Sequence, residues 1–377
     1  MEERYCSHHC PGLADLCSGA AATTGFLGLL FAASRRYHLS TGLDKSRIAY
    51  YTIFAWIACD RDNRDRIEKG SLALPETPFA TSRQEVRLKR AGKPFICIEG
   101  LHHTYQAGTR RPVPALRGID LTIDAGEYVA VIGANGSGKS TLLRHFNALL
   151  LPTSGNVWVA DRNTSDTTNL RFIRSAVGMV FQAPDSQIVA SVVEEDVAFG
   201  PENLGIPADE LHERVEWALS TVGLWELRQR ASHLLSAGQK QRIAIASALA
   251  MRPRCMLFDE ATSMLDAVGR VQLLQTIDQL HDDGMTIVAA THNMAEAARA
   301  QRVVVLSEGR IALQGEPRSV FAQVEQLRAL ELDVPQATQL AWAVGERVTH
   351  FPNDVLTVAE LVNSVVARLR TRAGDGS

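Results

Sequence analysis

Cysteine, aromatic residues and surplus charge of either sign are all scarce in this chain. Its six cysteines are irregularly spaced and too few for a disulfide scaffold in 377 residues, which favours a reducing compartment over a secreted one. The 39 basic and 42 acidic side chains give a formal net charge of -3, which excludes nucleic-acid binding through overall charge. A hydrophobic fraction of 46% is sufficient for a core, and the length suggests about two or three folding units. We therefore expect an intracellular globular protein.

The first 93 residues lack the patterns of the rest. They carry four of the six cysteines and a dense run of charge over residues 60–66, and nothing in them indicates a site. Cys6 and Cys10, with two histidines between them, have zinc-ligand chemistry, but no second ligand pair follows at a suitable spacing. We interpret this region as an extension of unknown role.

One uncharged run, residues 16–34, is close to the lower limit of about 20 residues for a helix that spans a bilayer. It meets Arg35 and Arg36, which would keep the following residues cytoplasmic if the run were inserted. Glu2 and Glu3 stand where a secretory signal would carry basic residues. Insertion, a disordered or loosely packed extension, and a start codon assigned too far upstream all remain open.

From about residue 95, short apolar runs alternate with helix-length stretches. Alternating or continuous apolar patterns predict strands over residues 95–99, 119–123, 128–132, 256–258, 286–290 and 303–306. This order is typical of an α/β protein with a parallel sheet covered by helices. Helical spacing predicts further helices over residues 324–332, 337–347 and 358–370, with Pro335 and Pro352 as breaks.

A phosphate loop is indicated by residues 133–140, which read GANGSGKS and fit the pattern G-x-x-x-x-G-K-[ST]. A buried strand is predicted before the loop and a helix over residues 141–150 after it. Glycines let backbone N–H groups surround a β-phosphate, and the helix N-terminus adds positive charge. Lys139 supplies a cation for the β- and γ-phosphates, and the Ser140 hydroxyl is suited to ligate Mg²⁺. The predicted nucleotide-binding residues here are Gly133, Asn135, Gly136, Gly138, Lys139, Ser140 and Thr141.

Two adjacent carboxylates, Asp259 and Glu260, end the apolar run of residues 255–258. Ligands of open α/β sheets bind at the carboxyl ends of strands, so two acids at such an end need a chemical reason. The simplest is that Asp259 belongs to the Mg²⁺ shell while Glu260 polarises the attacking water as general base. A solvated strand end is the alternative, and the phosphate loop argues against it.

Residues 235–239, LSAGQ, lie between the phosphate loop and the acid pair. Without that context they predict only a helix start with Ser236 as N-cap. With it, the chain resembles the nucleotide-binding subunit of ABC transporters, whose signature motif is usually LSGGQ, and Ala237 replaces the first glycine. The resemblance implies that Ser236, Gly238 and Gln239 present the signature to a γ-phosphate held by a second subunit.

Four more positions match the family one at a time. Tyr105 resembles the aromatic residue that stacks on adenine, and Gln182 resembles the glutamine that senses Mg²⁺ and water. Asp266 resembles the acid of the loop through which the two subunits communicate, and His292 resembles the switch histidine that contacts the γ-phosphate. The resemblance covers residues 95–321 and implies a P-loop NTPase fold, with a RecA-like core and antiparallel β and helical subdomains.

Within that family, residues 181–189 (FQAPDSQIV) and 194–203 (EEDVAFGPEN) are similar to the ATPases of energy-coupling factor (ECF) transporters. The first segment is more similar to the first of the two paralogous A-subunits. Residues 332–335 (LDVP) and 351–357 (FPNDVLT) resemble the C-terminal dimerisation extension of that group. The predicted organisation is an extension over residues 1–93, an ABC ATPase domain over 94–322 and a helical dimerisation extension over 323–377.

The resemblance implies a peripheral subunit on the cytoplasmic face of the cell membrane that uses ATP and Mg²⁺ to energise an importer of vitamins or transition-metal ions. The implied partners are a second, unlike ABC ATPase subunit that forms a heterodimer with this one, a transmembrane T-subunit and a substrate-binding S-subunit, and not nucleic acid. The cargo is not encoded here, because substrate recognition in this architecture lies on another polypeptide.

Three alternatives stay open on the sequence. An ATPase of another ABC importer class predicts a regulatory β-domain at the C-terminus rather than helices. A soluble ABC ATPase acting on DNA or ribosomes predicts a coiled-coil insertion or a second fused ATPase domain. A non-catalytic, nucleotide-gated regulator predicts the loss of Glu260 or His292, and both are present.

Overall fold

The computed structural model describes residues 94–109, 111–346, 348 and 351–374, with side chains up to residue 367. The N-terminal extension lies outside the described residues, and with it the uncharged run 16–34 and the cysteines considered for zinc. Within the described ranges, no helix has both the length and the apolar content needed to cross a membrane.

Strands of the described chain form two sheets. They are β1 (Ile96–Tyr105), β2 (Val113–Ile123), β3 (Tyr128–Ile132), β4 (Ser154–Val159), β5 (Arg162–Asn163), β6 (Val177–Val180), β7 (Cys255–Asp259), β8 (Thr286–Ala290), β9 (Arg302–Ser307) and β10 (Arg310–Gly315). The first sheet is antiparallel, four-stranded and ordered β2-β1-β4-β5, and the second is six-stranded and ordered β10-β9-β3-β8-β7-β6. Ile98 of β1 and Val131 of β3 belong to one buried cluster, so the two sheets share a core.

The central strands of the six-stranded sheet are parallel and buried along their whole length. Every residue of β3, β7 and β8 is buried, as expected where helices cover both faces of a sheet. Val180 pairs with Phe258, Phe258 with Ala289, and Val131 with Ala290. The carboxyl ends of β3, β8, β7 and β6 therefore reach one edge of the sheet.

Helices occupy the segments between strands and the end of the chain. They are α1 (Lys139–Phe146), α2 (Leu170–Ala176), α3 (Val193–Asn203), α4 (Ala208–Thr221), α5 (Ala237–Ala250), α6 (Ala267–Asp282), α7 (Met294–Ala297), α8 (Pro317–Phe321), α9 (Val324–Ala329), α10 (Gln336–Gly345) and α11 (Val358–Gly374). Helices α3, α4 and α5 pack against one another as a helical subdomain. The sequence-based prediction of an α/β fold with a helical C-terminus is confirmed.

Most of the strand predictions are confirmed. Those over residues 128–132 and 286–290 agree to the residue with β3 and β8. Those over 95–99 and 119–123 are too short, because β1 and β2 pair with each other along 10 and 11 residues. Antiparallel pairing stabilises both strands in the parts where apolar and polar residues no longer alternate regularly.

The prediction of a helix over residues 141–150 was wrong at both ends. The helix begins at Lys139, because Gly138 has a left-handed φ of 107° that turns the chain directly from the loop into the helix. It ends at Phe146, because the φ of 54° at Ala148 is incompatible with a continued right-handed helix.

The C-terminal helices divide between two cores. Leu332, which follows α9, belongs to the main apolar cluster of the preceding region, residues 94–321, whereas Ala341 of α10 and Val355 form part of a separate small cluster. Arg318 of α8 connects the two parts, since its Nη2 lies 2.6 Å from Glu360 Oε1 on α11. The C-terminal tail therefore contacts the preceding region both through apolar packing and through an ion pair.

Candidate active site

The phosphate loop, residues 133–140, turns between β3 and α1. Gly133 has no room for a side chain, because a Cβ there would lie 2.4 Å from a backbone carbonyl oxygen and 2.4 Å from Ser137 Oγ. A Cβ at Gly138 would lie 2.9 Å from the Ala115 carbonyl oxygen, and its backbone is left-handed. Both glycines are therefore required by the backbone path, as the motif predicts.

Lys139 is held inside this loop. Its side chain is only 5% exposed, and its Nζ donates hydrogen bonds to the carbonyl oxygens of Gly133, at 2.8 Å, and Ala134, at 3.2 Å. Asn135 and Gly136 lie exposed at the turn of the loop. The loop thus holds a buried cation at the N-terminus of α1, and both the cation and the helix N-terminus favour a bound phosphate.

Ser140 and Asp259 meet although they are 119 positions apart, and Ser140 Oγ donates to Asp259 Oδ1 at 2.7 Å. Burial raises the pKa of Asp259, while the Ser140 hydrogen bond and the nearby Arg144 charge act in the opposite direction. No group of three or more His, Cys, Asp or Glu side chains suited to a metal occurs among the described residues. A hydroxyl and a buried carboxylate nevertheless fit Mg²⁺, which takes few protein oxygens and completes its shell with phosphates and water.

Glu260 follows β7 and lies between two basic side chains. Lys139 Nζ is 3.8 Å from Glu260 Oε1, and His292 Nδ1 is 3.6 Å from Glu260 Oε2. The Glu260 side chain is 17% exposed and that of His292, just beyond β8, is 60% exposed. The structure therefore brings together three predicted site residues from three separate segments, with the carboxylate sheltered and the histidine accessible.

Gln182 lies beyond the end of β6 and is exposed. Because β6 and β7 are paired in parallel, Gln182 is at the same sheet edge as Glu260. The preceding backbone is held by Gln187, whose side-chain amide accepts from Phe181 N at 2.8 Å and donates to the Met179 carbonyl oxygen at 3.1 Å. The backbone that leads into Gln182 is thus held in place by the Gln187 side chain.

The predicted signature, residues 235–239, forms the start of α5 in the helical subdomain. Ser236 Oγ accepts from Gln239 N at 3.2 Å, and Gln239 Oε1 accepts from Ser236 N at 3.0 Å, which is a complete capping box. The prediction of Ser236 as N-cap is confirmed. A Cβ at Gly238 would lie 3.8 Å from Leu265, so the helix start packs on the loop that precedes α6, while Ser236 stays exposed.

Asp266 is the N-cap of α6, and its Oδ1 accepts a hydrogen bond from Gly269 N at 2.7 Å. The surface beside it is apolar, since Met264, Val268 and Val271 are 57%, 65% and 54% exposed. Apolar side chains exposed together mark a surface that another molecule can cover. Asp266 therefore lies in such a surface rather than in the cluster around Glu260.

Tyr105 ends β1, and its hydroxyl is 3.1 Å from Thr141 Oγ1 on α1. The ring of His103 contacts the Tyr105 ring edge-on, with 4.6 Å between centroids, and His103 Nδ1 is 3.2 Å from His145 Nε2. Burial lowers the pKa of His145 to about 4, so this residue is uncharged at neutral pH. The predicted adenine-stacking residue is therefore connected to the helix of the phosphate loop.

Two buried acids near these loops, Asp196 and Glu296, were not predicted as such from the sequence. Asp196 Oδ1 accepts from Val189 N and from Ala190 N, and so holds the segment that follows Gln182. The burial of Asp196 could have been predicted, because helical periodicity places it on the buried face of α3. No comparable pattern marks Glu296, whose partners come from loops that only the sheet brings together.

Comparisons with known proteins match this chain to components of ABC transporters. The family model described as ABC transporter matches residues 116–263. The energy-coupling factor transporter ATP-binding protein EcfA1 of Caldanaerobacter subterraneus subsp. tengcongensis is 50% identical over 272 residues, which are 72% of this chain and 98% of that protein. The structure of cbiO1 from Clostridium perfringens, part of the ABC transporter complex cbiONQ, is 36% identical with a TM-score of 0.57, over 64% of this chain and 95% of its own. The ATP-binding cassette MJ0796, a dimer in a post-hydrolysis state bound to ADP and Pi, is 30% identical with a TM-score of 0.54, over 59% and 98%.

Proposed function

The chain belongs to the family of energy-coupling factor transporter ATP-binding proteins, and from this premise we propose which residues hydrolyse ATP and what the hydrolysis drives. It is an ABC ATPase coupled to transport. One observation supports these roles above all: the Glu260 carboxylate lies 3.8 Å from Lys139 Nζ and 3.6 Å from His292 Nδ1. Beside them, Ser140 and Asp259 are joined by a hydrogen bond.

In the proposed mechanism the phosphates of ATP lie in the loop of residues 133–140, and Tyr105 stacks on the adenine. Lys139 neutralises the β- and γ-phosphates, because its Nζ is the buried cation of the loop. Glu260 Oε2 accepts a proton from the attacking water, and His292 contacts the γ-phosphate. Their 3.6 Å separation supports joint action at one phosphate.

Mg²⁺ is the proposed metal cofactor. Ser140, Asp259 and Gln182 would hold it, and the hydrogen bond between the first two supports this assignment. When bound, the ion would supply positive charge that offsets the charge on the β- and γ-phosphates. The buried Asp259 carboxylate, whose pKa burial raises, would gain a compensating charge there.

Two ATPase subunits are proposed to pair head to tail, with the signature of each completing the ATP site of the other. Three features support this: the exposed Ser236 at the start of α5, the apolar surface of Met264, Val268 and Val271 beside Asp266, and the dimeric state of the related MJ0796 cassette. ATP would hold the pair closed, and hydrolysis would remove the γ-phosphate charge and let it reopen.

The partners we propose are a second, unlike ATPase subunit, a transmembrane T-subunit and a substrate-binding S-subunit. The similarity to EcfA1 and to cbiO1, which is part of the complex cbiONQ, supports membrane partners. The ATPase would then lie on the cytoplasmic face of the membrane and pass its closing motion through the segment after Gln182. The proposed cargo class is vitamins or transition-metal ions, bound by the S-subunit.

The C-terminal helices are proposed to add a second dimer contact through α11. Val358, Val362, Val365 and Val366 lie on one face of this helix and are 68%, 52%, 38% and 39% exposed. Val362→Glu is expected to weaken the dimer by about tenfold or more, because pairing would bury an unpaired charge. Light scattering after size exclusion measures the effect. Ala367→Glu adds the same charge away from the valine face, so equal weakening by both variants would contradict the proposal.

Affinity purification of the tagged protein from detergent-solubilised membranes tests the transport role. We expect a second ABC ATPase and a polytopic membrane protein to co-elute, with Mg²⁺-dependent ATPase activity in the eluate. The same procedure on an untagged strain identifies non-specific background. An active ATPase that elutes without membrane partners, bound instead to nucleic acid or ribosomes, would refute the transport proposal while leaving the ATP site intact.

A further inference from the structure

Glu296 connects the two loops that carry the proposed catalytic pair. It lies on α7 and is only 6% exposed. Its Oε2 accepts a hydrogen bond from Thr262 Oγ1 and another from Thr291 Oγ1, both at 2.9 Å. Thr262 lies two residues after Glu260, and Thr291 directly precedes His292. One carboxylate oxygen therefore joins the Glu260 loop to the His292 loop.

The His292 loop is also fixed by its other neighbour. Thr291 Oγ1 accepts a hydrogen bond from Asn293 N at 3.0 Å while it donates to Glu296. Asn293 Oδ1 in turn accepts from Ala295 N and from Glu296 N at the start of α7. His292 is thus held between two anchored residues, although its own side chain is 60% exposed.

The second oxygen of Glu296 is buried without a hydrogen-bond partner among the described residues. The basic group paired with it is Arg270 Nε on α6, at 3.7 Å. Burying a carboxylate with one oxygen that accepts no hydrogen bond costs free energy, and here the two threonine hydroxyls and Arg270 offset that cost. The carboxylate is therefore the shared acceptor that holds the two loops at a fixed distance from each other.

We propose that Glu296 is a positioning residue for ATP hydrolysis, which keeps Glu260 and His292 at the spacing required for reaction at the γ-phosphate. This inference rests on the roles proposed above for Glu260 and His292. A displacement of about 1 Å can cost roughly 100-fold in rate, so a 3.6 Å contact between two reacting groups has little tolerance. In the proposed site, most of the contacts to ATP come from Tyr105 and the loop of residues 133–140, whereas the Glu296 side chain accepts its hydrogen bonds from Thr262 and Thr291.

The first test is steady-state ATP hydrolysis by the full-length protein, purified with its co-eluting subunits. Glu296→Ala is expected to lower kcat by roughly 10- to 100-fold while KM for ATP stays within about twofold. Glu296→Gln keeps an oxygen that can accept both hydroxyl hydrogen bonds, so it should recover most of the lost rate. A merely structural role would not separate kcat from KM in this way.

Two milder variants show whether Glu296 acts through its threonine partners. Thr262→Val removes only the hydrogen bond to Glu296, whereas Thr291→Val also removes the one that Thr291 accepts from Asn293 N. Both change the side-chain volume little, so they test the proposal even if Glu296→Ala does not fold. Because the residues act as one unit, Glu296→Ala combined with Thr262→Val should be no slower than Glu296→Ala alone. Val159→Ala, in the buried core of β4, controls for a general loss of stability.

The proposal is overturned if Glu296→Ala keeps the wild-type kcat, or if the rate losses of Glu296→Ala and Thr262→Val simply add in the double variant. It is also overturned if Val159→Ala lowers kcat as much as Glu296→Ala does when the two variants have the same melting temperature. Glu260→Gln and His292→Ala are assayed alongside. Wild-type turnover in those two variants would refute the proposed active site itself. Inactivity of both beside a fully active Glu296→Ala would refute only the positioning role.

Discussion

Replacing Glu260 by glutamine is expected to lower ATP turnover by at least about 100-fold while ATP still binds. The amide keeps the volume of the side chain and its place between Lys139 and His292, but it cannot accept a proton from water at neutral pH. Because hydrolysis reopens the proposed dimer, the ATP-bound pair should accumulate. Phosphate release at saturating ATP measures the first effect, and light scattering with and without ATP measures the second.

Glu308→Gln is the matched control for this experiment. Glu308 is exposed between β9 and β10, and its φ of 47° is close to the 51° of Glu260, so both substitutions meet the same backbone conformation. The control should keep the wild-type rate. Normal turnover by Glu260→Gln would show that another group removes the proton and that the general-base role is wrong.

Replacing Lys139 by methionine is expected to weaken ATP binding by about 2 kcal/mol, or roughly 30-fold in Kd. Methionine is of similar length, so the loop keeps its packing. Methionine lacks the ammonium group of Lys139, which is 5% exposed and lies 3.8 Å from Glu260. Without it, the negative charges of the phosphates and of the Glu260 carboxylate would repel each other with no cation between them. Titration calorimetry measures Kd directly, and the ATP-dependent rise in melting temperature should shrink in parallel.

Arg162→Met provides the control for the loss of a basic side chain. Arg162 lies on β5 with its guanidinium 4.0 Å from the centre of the Phe172 ring, in the antiparallel sheet. ATP should bind this variant as tightly as it binds the wild type. Wild-type affinity in Lys139→Met would mean that the phosphates do not lie in the loop of residues 133–140.

Features that depend on neighbouring residues could be predicted from the sequence. The glycines and lysine of the phosphate loop, and the capping box of Ser236 and Gln239, are set by spacings of a few residues. The strands of residues 128–132 and 286–290 were predictable because they are uniformly apolar. Local chemistry was sufficient for these features, because their partners are close along the chain.

Contacts across the sheet could not be predicted in this way. The hydrogen bond from Ser140 to Asp259 spans 119 positions, and that from Thr262 to Glu296 spans 34. Both depend on the parallel register of β3, β8 and β7, which an apolar strand pattern does not specify. The phosphate loop and the acid pair each predicted an Mg²⁺ ligand, Ser140 and Asp259, whereas Glu296 belongs to neither motif.

Glu260 has a left-handed φ of 51°, so the residue that would favour stability at this position differs from the one that favours activity. A residue with a side chain adopts this conformation at a cost of about 1–2 kcal/mol, and glycine would adopt it without that cost. Selection for thermal stability alone would therefore favour glycine here, and it would remove the carboxylate proposed to activate water. Efforts to stabilise this protein by consensus or library methods should hold position 260 constant and seek their gains elsewhere in the fold.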